Sequence, residues 1–210
     1  MQVLVIANEE LKTELLQDTA DKNVQIEWLN DTADYTPQLS YAACIDLLFE
    51  NKKERIDWLK NGAFDVVIVN SVMHTLAETH TGFVRFNGWP TFLSRPVMEA
   101  SALNEGAKIK ATAVFNAFNK KPEWVPDVTG LITPRVVCSI INEAWFALEE
   151  NVSTAMDIDT AMKLGTNYPF GPFEWSEKIG HSNVVALLQM LAASEDRYTP
   201  SSLLLKTASR

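Results

Sequence analysis

Histidines are the residues of this chain best suited to proton transfer or metal binding, and two of them stand close together. His74 and His80 flank Glu78 in the segment VMHTLAETHTGF. Recurrent metal sites use a few short ligand spacings, and His-x3-Glu-x-His is not among them. Ser71 and Ser94 have no evident base partner that would make them nucleophiles. The sequence therefore predicts neither a metal site nor a nucleophilic enzyme.

Both cysteines stand in apolar stretches. Cys44 lies in AACIDLL and Cys138 in RVVCSII, and neither has a CxxC partner or a histidine neighbour. The sequence around the two cysteines therefore contains neither the ligand spacing of a zinc site nor the cysteine pattern of a disulfide framework. We predict two buried free thiols.

Composition is that of an ordinary globular protein. Hydrophobic residues make up 47% and charged residues 21% of the 210 residues, and the net charge is −9. That charge is opposite to the basic footprint of a nucleic-acid-binding protein. No apolar run approaches the roughly 18 residues of a membrane span, and the start MQVLVIANEE lacks the features of a signal peptide. We expect a cytoplasmic protein with no nucleic-acid or membrane partner.

The elements that must position any site differ between the two parts of the chain. Residues 1–129 alternate short apolar runs with amphipathic stretches, which is typical of βα units in a mostly parallel sheet. Strands are predicted at 2–7, 24–29, 42–49, 64–69, 84–86 and 96–103, and helices at 9–18, 52–61 and 106–119. This part is predicted to be an α/β, Rossmann-like domain.

From residue 130 the apolar period becomes helical. Val137, Ile141, Ala144 and Leu148 recur at three and four residues, with Pro134 suited to a first helical turn. Further helices are predicted at 156–164, 173–179, 183–195 and 202–208. Residues 130–210 are therefore predicted to form an all-α domain.

Dense motifs in this second part resemble the C-terminal domain of the 3-hydroxyacyl-CoA dehydrogenases. They are DIDTAMKLG (157–165), YPFGPFEW (168–175) and NEA (142–144), continued by RYTPSSLLLK (197–206). The first part is similar to the Rossmann-type domain of the same family through CIDLLFENKKERIDWL (44–59), FDVVIVNS (64–71) and RFNGWPTFLSRPVMEA (85–100). It is shorter than the family's domain, mainly between Leu29 and Tyr41. The resemblance implies a homodimer formed through the helical domain and a cleft for acyl-CoA or another small molecule.

The resemblance places the three glycine positions of the dinucleotide-binding turn on Ala7, Glu9 and Lys12. A Rossmann turn needs glycines so that the backbone can approach the pyrophosphate at a helix N-terminus. Side chains obstruct that approach, and the carboxylates of Glu9 and Glu10 repel phosphates. As the first residues of an ordinary helix the same glutamates are favourable. The family's cofactor is NAD, but no cofactor is expected here.

The same resemblance implies that the positions of the family's catalytic residues hold side chains that cannot perform the family's reaction. The family's base, a histidine, falls on Pro90, and its glutamate partner on Ala102. The family's asparagine falls on Pro134 and its serine on Val72. Removing a proton from a 3-hydroxyl while a hydride leaves requires a base and polar groups on the developing carbonyl. None of these four side chains can act as that base or as a polar group on the carbonyl.

Glu50 and Arg55 are the remaining candidates for cofactor binding. Both stand at polar positions of the family, with Arg55 where the family has a lysine beside the nicotinamide. The alternative is a helix start at which Glu50 or Asn51 caps and Arg55 is solvated.

The sequence thus predicts a shortened 3-hydroxyacyl-CoA dehydrogenase-like protein that no longer catalyses the family's reaction in fatty-acid metabolism. Two alternatives remain open. The chain could be an active oxidoreductase of the family with rearranged site residues, or a heterodimer partner of a catalytic member.

Overall fold

The computed structural model describes residues 1–17, 23–32 and 39–209. It consists of two units, Met1–Leu131 and Ile132–Arg210, so the division falls just beyond residue 129. Part of the predicted shortening between Leu29 and Tyr41 concerns residues 33–38, which lie outside the described residues. Within the described residues, no helix is both long enough and apolar enough to cross a membrane.

The first unit is built on a seven-stranded sheet, counted over its described residues. The strands are β1 (Gln2–Ile6), β2 (Gln25–Leu29), β3 (Ala43–Asp46), β4 (Val67–Asn70), β5 (Val84–Phe86), β6 (Val97–Ser101) and β7 (Lys121–Trp124). Their order is β2-β1-β3-β4-β5-β6-β7, and every neighbouring pair is parallel except β5 and β6. The helices are α1 (Glu9–Leu15), α2 (Lys53–Asn61), α3 (Leu76–Thr79) and α4 (Glu105–Ala117). The predicted α/β fold with a mostly parallel sheet is confirmed.

Both faces of the sheet are buried, which explains why its central strands are continuous apolar runs. Val3 and Val5 of β1 pack on one face with α1 and α4, while Leu4 and Ile6 pack on the other with α2 and α3. This alternation follows from the two-residue period of a strand.

Strand β7 has no counterpart among the predicted elements, and helix α3 lies in the segment VMHTLAETHTGF, for which the sequence allows a polar helix or a loop. Strand β7 has the sequence KPEW, and its proline is tolerated because the strand lies at the edge of the sheet. Helix α3 has only four residues, and a capping box between Thr75 and Glu78 starts it.

The second unit consists of helices. They are α5 (Thr133–Glu149), α6 (Ala155–Thr166), α7 (Pro172–Ile179), α8 (His181–Ala192) and α9 (Ser202–Ala208), with a 3-10 turn at Asp196–Tyr198. Pro134 lies in the first turn of α5, where its missing N–H costs no hydrogen bond. The core of this unit includes Ile141 and Trp145 of α5 and Leu187 of α8.

Candidate functional site

The carboxyl ends of β1 and β3 mark the point where the strand order reverses. Strand β2 lies on one side of β1 and β3 on the other, so the chain leaves the two central strands in opposite directions. Open α/β sheets bind ligands outside the carboxyl ends of strands at such a switch point. The candidate site of the first unit is therefore this edge, with the segments that follow β1, β3, β4 and β5.

The turn from β1 into α1 is closed by its own residues. Ala7 is 2% exposed, and the Asn8 side chain caps α1 by accepting a hydrogen bond from the Leu11 N–H at 2.9 Å. Glu9 lies in the exposed first turn of the helix, and the Lys12 ammonium is 3.7 Å from its carboxylate. The positions that the resemblance assigns to glycines thus form an ordinary capped helix start.

A buried ion pair stands at the end of β3. Asp46 is fully buried, and Arg55 of α2 donates from Nε to Asp46 Oδ2 at 2.7 Å and from Nη2 to Oδ1 at 2.8 Å. Arg55 also donates to Thr32 Oγ1 at 2.6 Å. Burial raises the pKa of Asp46, an effect that the hydrogen bonds and charge of Arg55 oppose. This bidentate pair fixes the start of α2 to the edge of the sheet.

The structure corrects two expectations for this segment. Arg55 is not solvated, because the buried carboxylate of Asp46 attracts its guanidinium and leaves its side chain only 12% exposed. Neither Glu50 nor Asn51 caps α2: Lys52 is the N-cap residue and makes no side-chain cap. Glu50 instead lies 2.7 Å from the Lys52 ammonium in an exposed ion pair. No observation tests Glu50 and Arg55 as cofactor ligands, and they stay candidates.

A polar bridge joins the ends of β3, β4 and β5. Asn70 donates from Nδ2 to the Leu47 carbonyl at 3.1 Å and accepts at Oδ1 from the Gly88 N–H at 3.0 Å. Position 88 requires glycine, because a Cβ there would lie 2.9 Å from the Asn70 side chain. The Asn70 amide therefore connects the segments that follow β3 and β5 at the carboxyl edge of the sheet.

The loop after β4 carries Val72, at the position of the family's serine, and His74. Val72 is 2% exposed, and the neighbouring Ser71 hydroxyl donates to the His74 carbonyl at 2.8 Å. His74 itself is half-buried. The hydroxyl and the imidazole thus belong to one short loop at the carboxyl edge, although the hydroxyl proton is already used by the backbone.

The segment after β5, which contains Pro90, is held against α1 by a single carboxylate. Glu14 accepts from the backbone N–H groups of Thr91 at 3.0 Å, Leu93 at 2.9 Å and Ser94 at 3.3 Å. Thr91 adopts φ 76°, a left-handed conformation that a β-branched residue rarely takes. Leu93 is fully buried in the cluster that also contains Ala7. Position 90 is thus a proline in a constrained loop.

Arg85 is a fully buried cation that the sequence analysis missed. Its Nε lies 2.6 Å from Asp127 Oδ1, and its Nη1 donates to the carbonyls of Ser71, Val72 and His74 at 2.9, 3.3 and 3.1 Å. Desolvation lowers the pKa of Arg85, and the charge of Asp127 opposes that shift. An arginine inside the apolar strand VRF is the signal that could have shown it, because such a residue must find a carboxylate.

Asp127 serves a second element. Its carboxylate accepts from the Leu76 N–H at 2.9 Å, at the start of α3. Arg85 and Asp127 therefore tie the loop after β4 to the segment that leads out of the first unit.

Ala102, the position of the family's glutamate, directly follows β6 and is partly buried against the core.

In the second unit the motifs that carried the resemblance have structural roles. Asp159 of α6 is 9% exposed and accepts from the N–H groups of Phe173 and Glu174 at 2.8 and 3.2 Å, so it caps α7. A Cβ at Gly171 would lie 2.2 Å from the Asp159 side chain, so the tight approach requires glycine. Asn142 donates to the Thr199 carbonyl at 2.9 Å.

In the described parts of the chain, no cluster of three or more potential metal ligands occurs. The two cysteines are buried and free. Burial raises the pKa of the Cys44 thiol well above its usual range and that of Cys138 to about 12. Both are therefore neutral thiols at physiological pH and poor nucleophiles.

Comparison with known proteins identifies the helical unit. Residues 130–209 match the family model described as 3-hydroxyacyl-CoA dehydrogenase, C-terminal domain. The helical unit is similar to the C-terminal domain of the 3-hydroxyacyl-CoA dehydrogenases. The predicted resemblance to this family is confirmed.

Relatives support the same family. The chain is 40% identical over 112 residues to a 3-hydroxyadipyl-CoA dehydrogenase of Escherichia coli K12, which covers 52% of this chain and 24% of that protein. It is 30% identical over 182 residues to a probable 3-hydroxyacyl-CoA dehydrogenase of Caenorhabditis elegans, covering 76% of this chain and 58% of the relative. The chain thus spans less than two thirds of the length of either dehydrogenase.

A solved structure extends the similarity of fold to the first unit. The (S)-3-hydroxybutyryl-CoA dehydrogenase of Ralstonia eutropha has a TM-score of 0.74, with 99% of this chain and 93% of that chain covered at 19% identity. At this identity the match shows the fold alone, a Rossmann-type domain followed by the dehydrogenase helical domain.

These findings correct the prediction that no cofactor is expected. The matched family and relatives are dehydrogenases, and NAD is the cofactor of that family. The prediction was wrong because it was drawn from one turn. That turn, with a buried Ala7, a capped α1 and Glu9 in the first helical turn, does not reproduce the glycine-rich cradle for a pyrophosphate. No chemical step in this chain is therefore assigned to the dinucleotide.

Proposed function

We propose that this chain is a 3-hydroxyacyl-CoA dehydrogenase homologue of fatty-acid metabolism that does not turn over hydroxyacyl-CoA and acts by binding or regulation. One observation carries the proposal: the positions matched to the family's catalytic residues hold Pro90, Ala102, Pro134 and Val72. None of these side chains can accept the hydroxyl proton or donate to the carbonyl oxygen.

Several ionisable groups near the carboxyl edge support this proposal because each already binds a partner within the first unit. Asp46 is paired with Arg55, and the Glu14 carboxylate is surrounded by three backbone N–H groups. Arg85 is fully buried against Asp127. Releasing any of these groups for catalysis would leave a buried partner unsatisfied, which costs about 1 to 3 kcal/mol or more.

The alternative is an active oxidoreductase with a rearranged site. The location of His74 favours this alternative. This half-buried imidazole lies in the loop after β4, beside the family's serine position. A histidine is the commonest general base in proteins.

A turnover assay separates the two candidates. Purified chain is incubated with acetoacetyl-CoA and NADH, and NADH loss is followed against an active relative at equal concentration. We expect no loss above the protein-free blank. Saturable turnover that His74→Ala abolishes, while the exposed His80→Ala retains it, would establish the rearranged enzyme instead.

The partner we propose is a second copy of the chain, joined through the helical unit. Helix α6 presents Met156 and Leu164, which are 75% and 83% exposed, and Val152, three residues before the helix, is 69% exposed. Met156 and Leu164 form an exposed apolar stripe about two turns long on α6, and exposed apolar side chains on one element are typical of an interaction surface. A catalytic relative is the alternative partner, and co-purification would identify it.

Acyl-CoA remains the proposed small-molecule ligand, and the cytoplasm the proposed compartment. A thermal-shift series with acyl-CoAs tests the first, because ligand at a hundred times its Kd stabilises a protein by about 2.7 kcal/mol. Fractionation of native cells tests the second.

A further inference from the structure

A cavity of about 420 Å³ opens at the amino-terminal edge of the sheet, opposite the carboxyl edge. It lies where β4 and β5 begin and where α2 ends and α4 starts. Its apolar lining includes Phe64, Phe83 and Leu59, and the last two are buried. A volume of this size lies within the range of small-molecule sites, which combine apolar walls with a few polar groups.

Two glycines leave this cavity open although the fold does not require them. A Cβ at Gly82 would meet no atom within 4 Å, and one at Gly106 would approach only Asn104 Oδ1, at 3.4 Å. Neither glycine has a positive φ. Side chains could occupy both positions without strain, and both positions line the cavity.

Two ammonium groups stand on the rim. Lys60 donates to the His80 carbonyl at 3.3 Å, and Lys110 donates to the Asp65 carbonyl at 3.1 Å. An ammonium carries three donors, so each lysine keeps two for a ligand. Asp65 contributes the one carboxylate of the lining, which leaves a net positive charge on a chain of net charge −9.

We propose that this cavity binds a small aromatic anion, with the ring against Phe64 and Phe83 and the anionic group between Lys60 and Lys110. The aromatic walls provide apolar and ring-to-ring contacts, and the two lysines provide charge-assisted hydrogen bonds. The site is independent of the proposed function, because it lies at the other edge of the sheet.

Phenyl phosphate is the probe that tests this site, with inorganic phosphate and phenol as its two halves. Binding to the full chain is measured by calorimetry and by ligand-observed NMR. We expect saturable binding with a Kd below about 1 mM, at least about tenfold tighter than that of either half. No saturable binding, or equal binding of inorganic phosphate, would overturn the proposal.

Variants locate the bound probe. We expect the double variant Lys60→Ala/Lys110→Ala to weaken phenyl phosphate at least about tenfold, and Gly82→Leu to abolish its binding by filling the cavity. Lys206→Ala and Gly165→Leu are the controls, since Lys206 lies on α9 and Gly165 also has no atom within 4 Å of a Cβ. Thermal melting verifies the fold of each variant. Full binding in the folded lysine or glycine variants would place the probe elsewhere and contradict the assignment.

Discussion

At the residue scale, the first unit depends on buried charge pairs that the sequence patterns did not reveal. Asp46 ends the buried strand ACID, and the strand pattern does not show which residue pairs with its carboxylate. Its partner Arg55 is nine residues away on the next helix. A single sequence gives the strand and the helix but not the pairing across them, because that depends on how they pack.

The Asp46–Arg55 pair is expected to be costly to break. Arg55→Met leaves a fully buried carboxylate without a counterion, so the free energy of unfolding should fall by about 3 to 5 kcal/mol. Adding Asp46→Asn should recover much of that loss. Urea unfolding followed by circular dichroism measures both variants. Lys52→Met, which removes an exposed pair with Glu50, is the control and should cost far less, because water screens an exposed pair; an equal loss in both would contradict the assignment.

The thiols provide a second prediction at this scale. Burial raises the pKa of Cys138 to about 12 and that of Cys44 well above its usual range, so both stay protonated at pH 8. Ellman's reagent should therefore react with neither in the native protein and with both after denaturation. Rapid labelling of native protein would show that these side chains are reached by solvent.

At the element scale, the sequence predicted the long periodic elements best. Helix α5 and strands β1 and β2 follow apolar periods directly, whereas β7 combines a proline with charged residues and is stabilised by pairing with β6. Such an edge strand has no period to detect. Helix α3 is too short for a helical period and depends on its capping box.

The junction of α6 and α7 gives a pH-dependent prediction. Glu174 pairs with Lys163 and accepts from the Gly171 N–H at 2.9 Å, and the hydrogen bond from Lys163, then that from Gly171, lowers the pKa of Glu174. Because the folded pKa is below the unfolded value of about 4.3, the stabilisation is complete above that value. It is lost as the pH falls through the folded pKa.

We therefore expect Glu174→Gln to lower the free energy of unfolding by about 0.5 to 1 kcal/mol at pH 7, a modest value because the pair is half-exposed. The difference from the parent should disappear in acid. Denaturant titrations between pH 7 and pH 2.5 measure it, with the exposed Glu177→Gln as control. A difference that persists unchanged at low pH would contradict the role of the charge.

At the scale of the whole molecule, the sequence predicted two parts of different class, and motif residues identified the helical one. It did not predict how the first unit holds the edge of its sheet, because the contacts of Asp127 with Arg85 and Leu76 and those of Glu14 join residues 42 to 80 positions apart. Contacts at such separations follow from tertiary packing, which a single sequence does not specify.

Self-association through the stripe on α6 is testable at this scale. We expect a dimer by analytical ultracentrifugation and a monomer for Met156→Glu/Leu164→Glu, since two carboxylates would have to be buried in the interface. Ile109→Glu, an equally exposed apolar position on α4 of the first unit, is the control and should stay dimeric. A monomeric parent, or a dimer unchanged in the double variant, would rule out this surface.

Deuteride transfer shows directly whether this chain reduces an acyl-CoA substrate. The chain is incubated overnight with acetoacetyl-CoA and NADH carrying deuterium at C4 of the nicotinamide, and 3-hydroxybutyryl-CoA is analysed by mass spectrometry. With Pro90, Ala102, Pro134 and Val72 at the positions of the catalytic residues, we predict no deuterated product above the protein-free blank. Deuterated product that accumulates in proportion to the concentration of the chain would contradict this account.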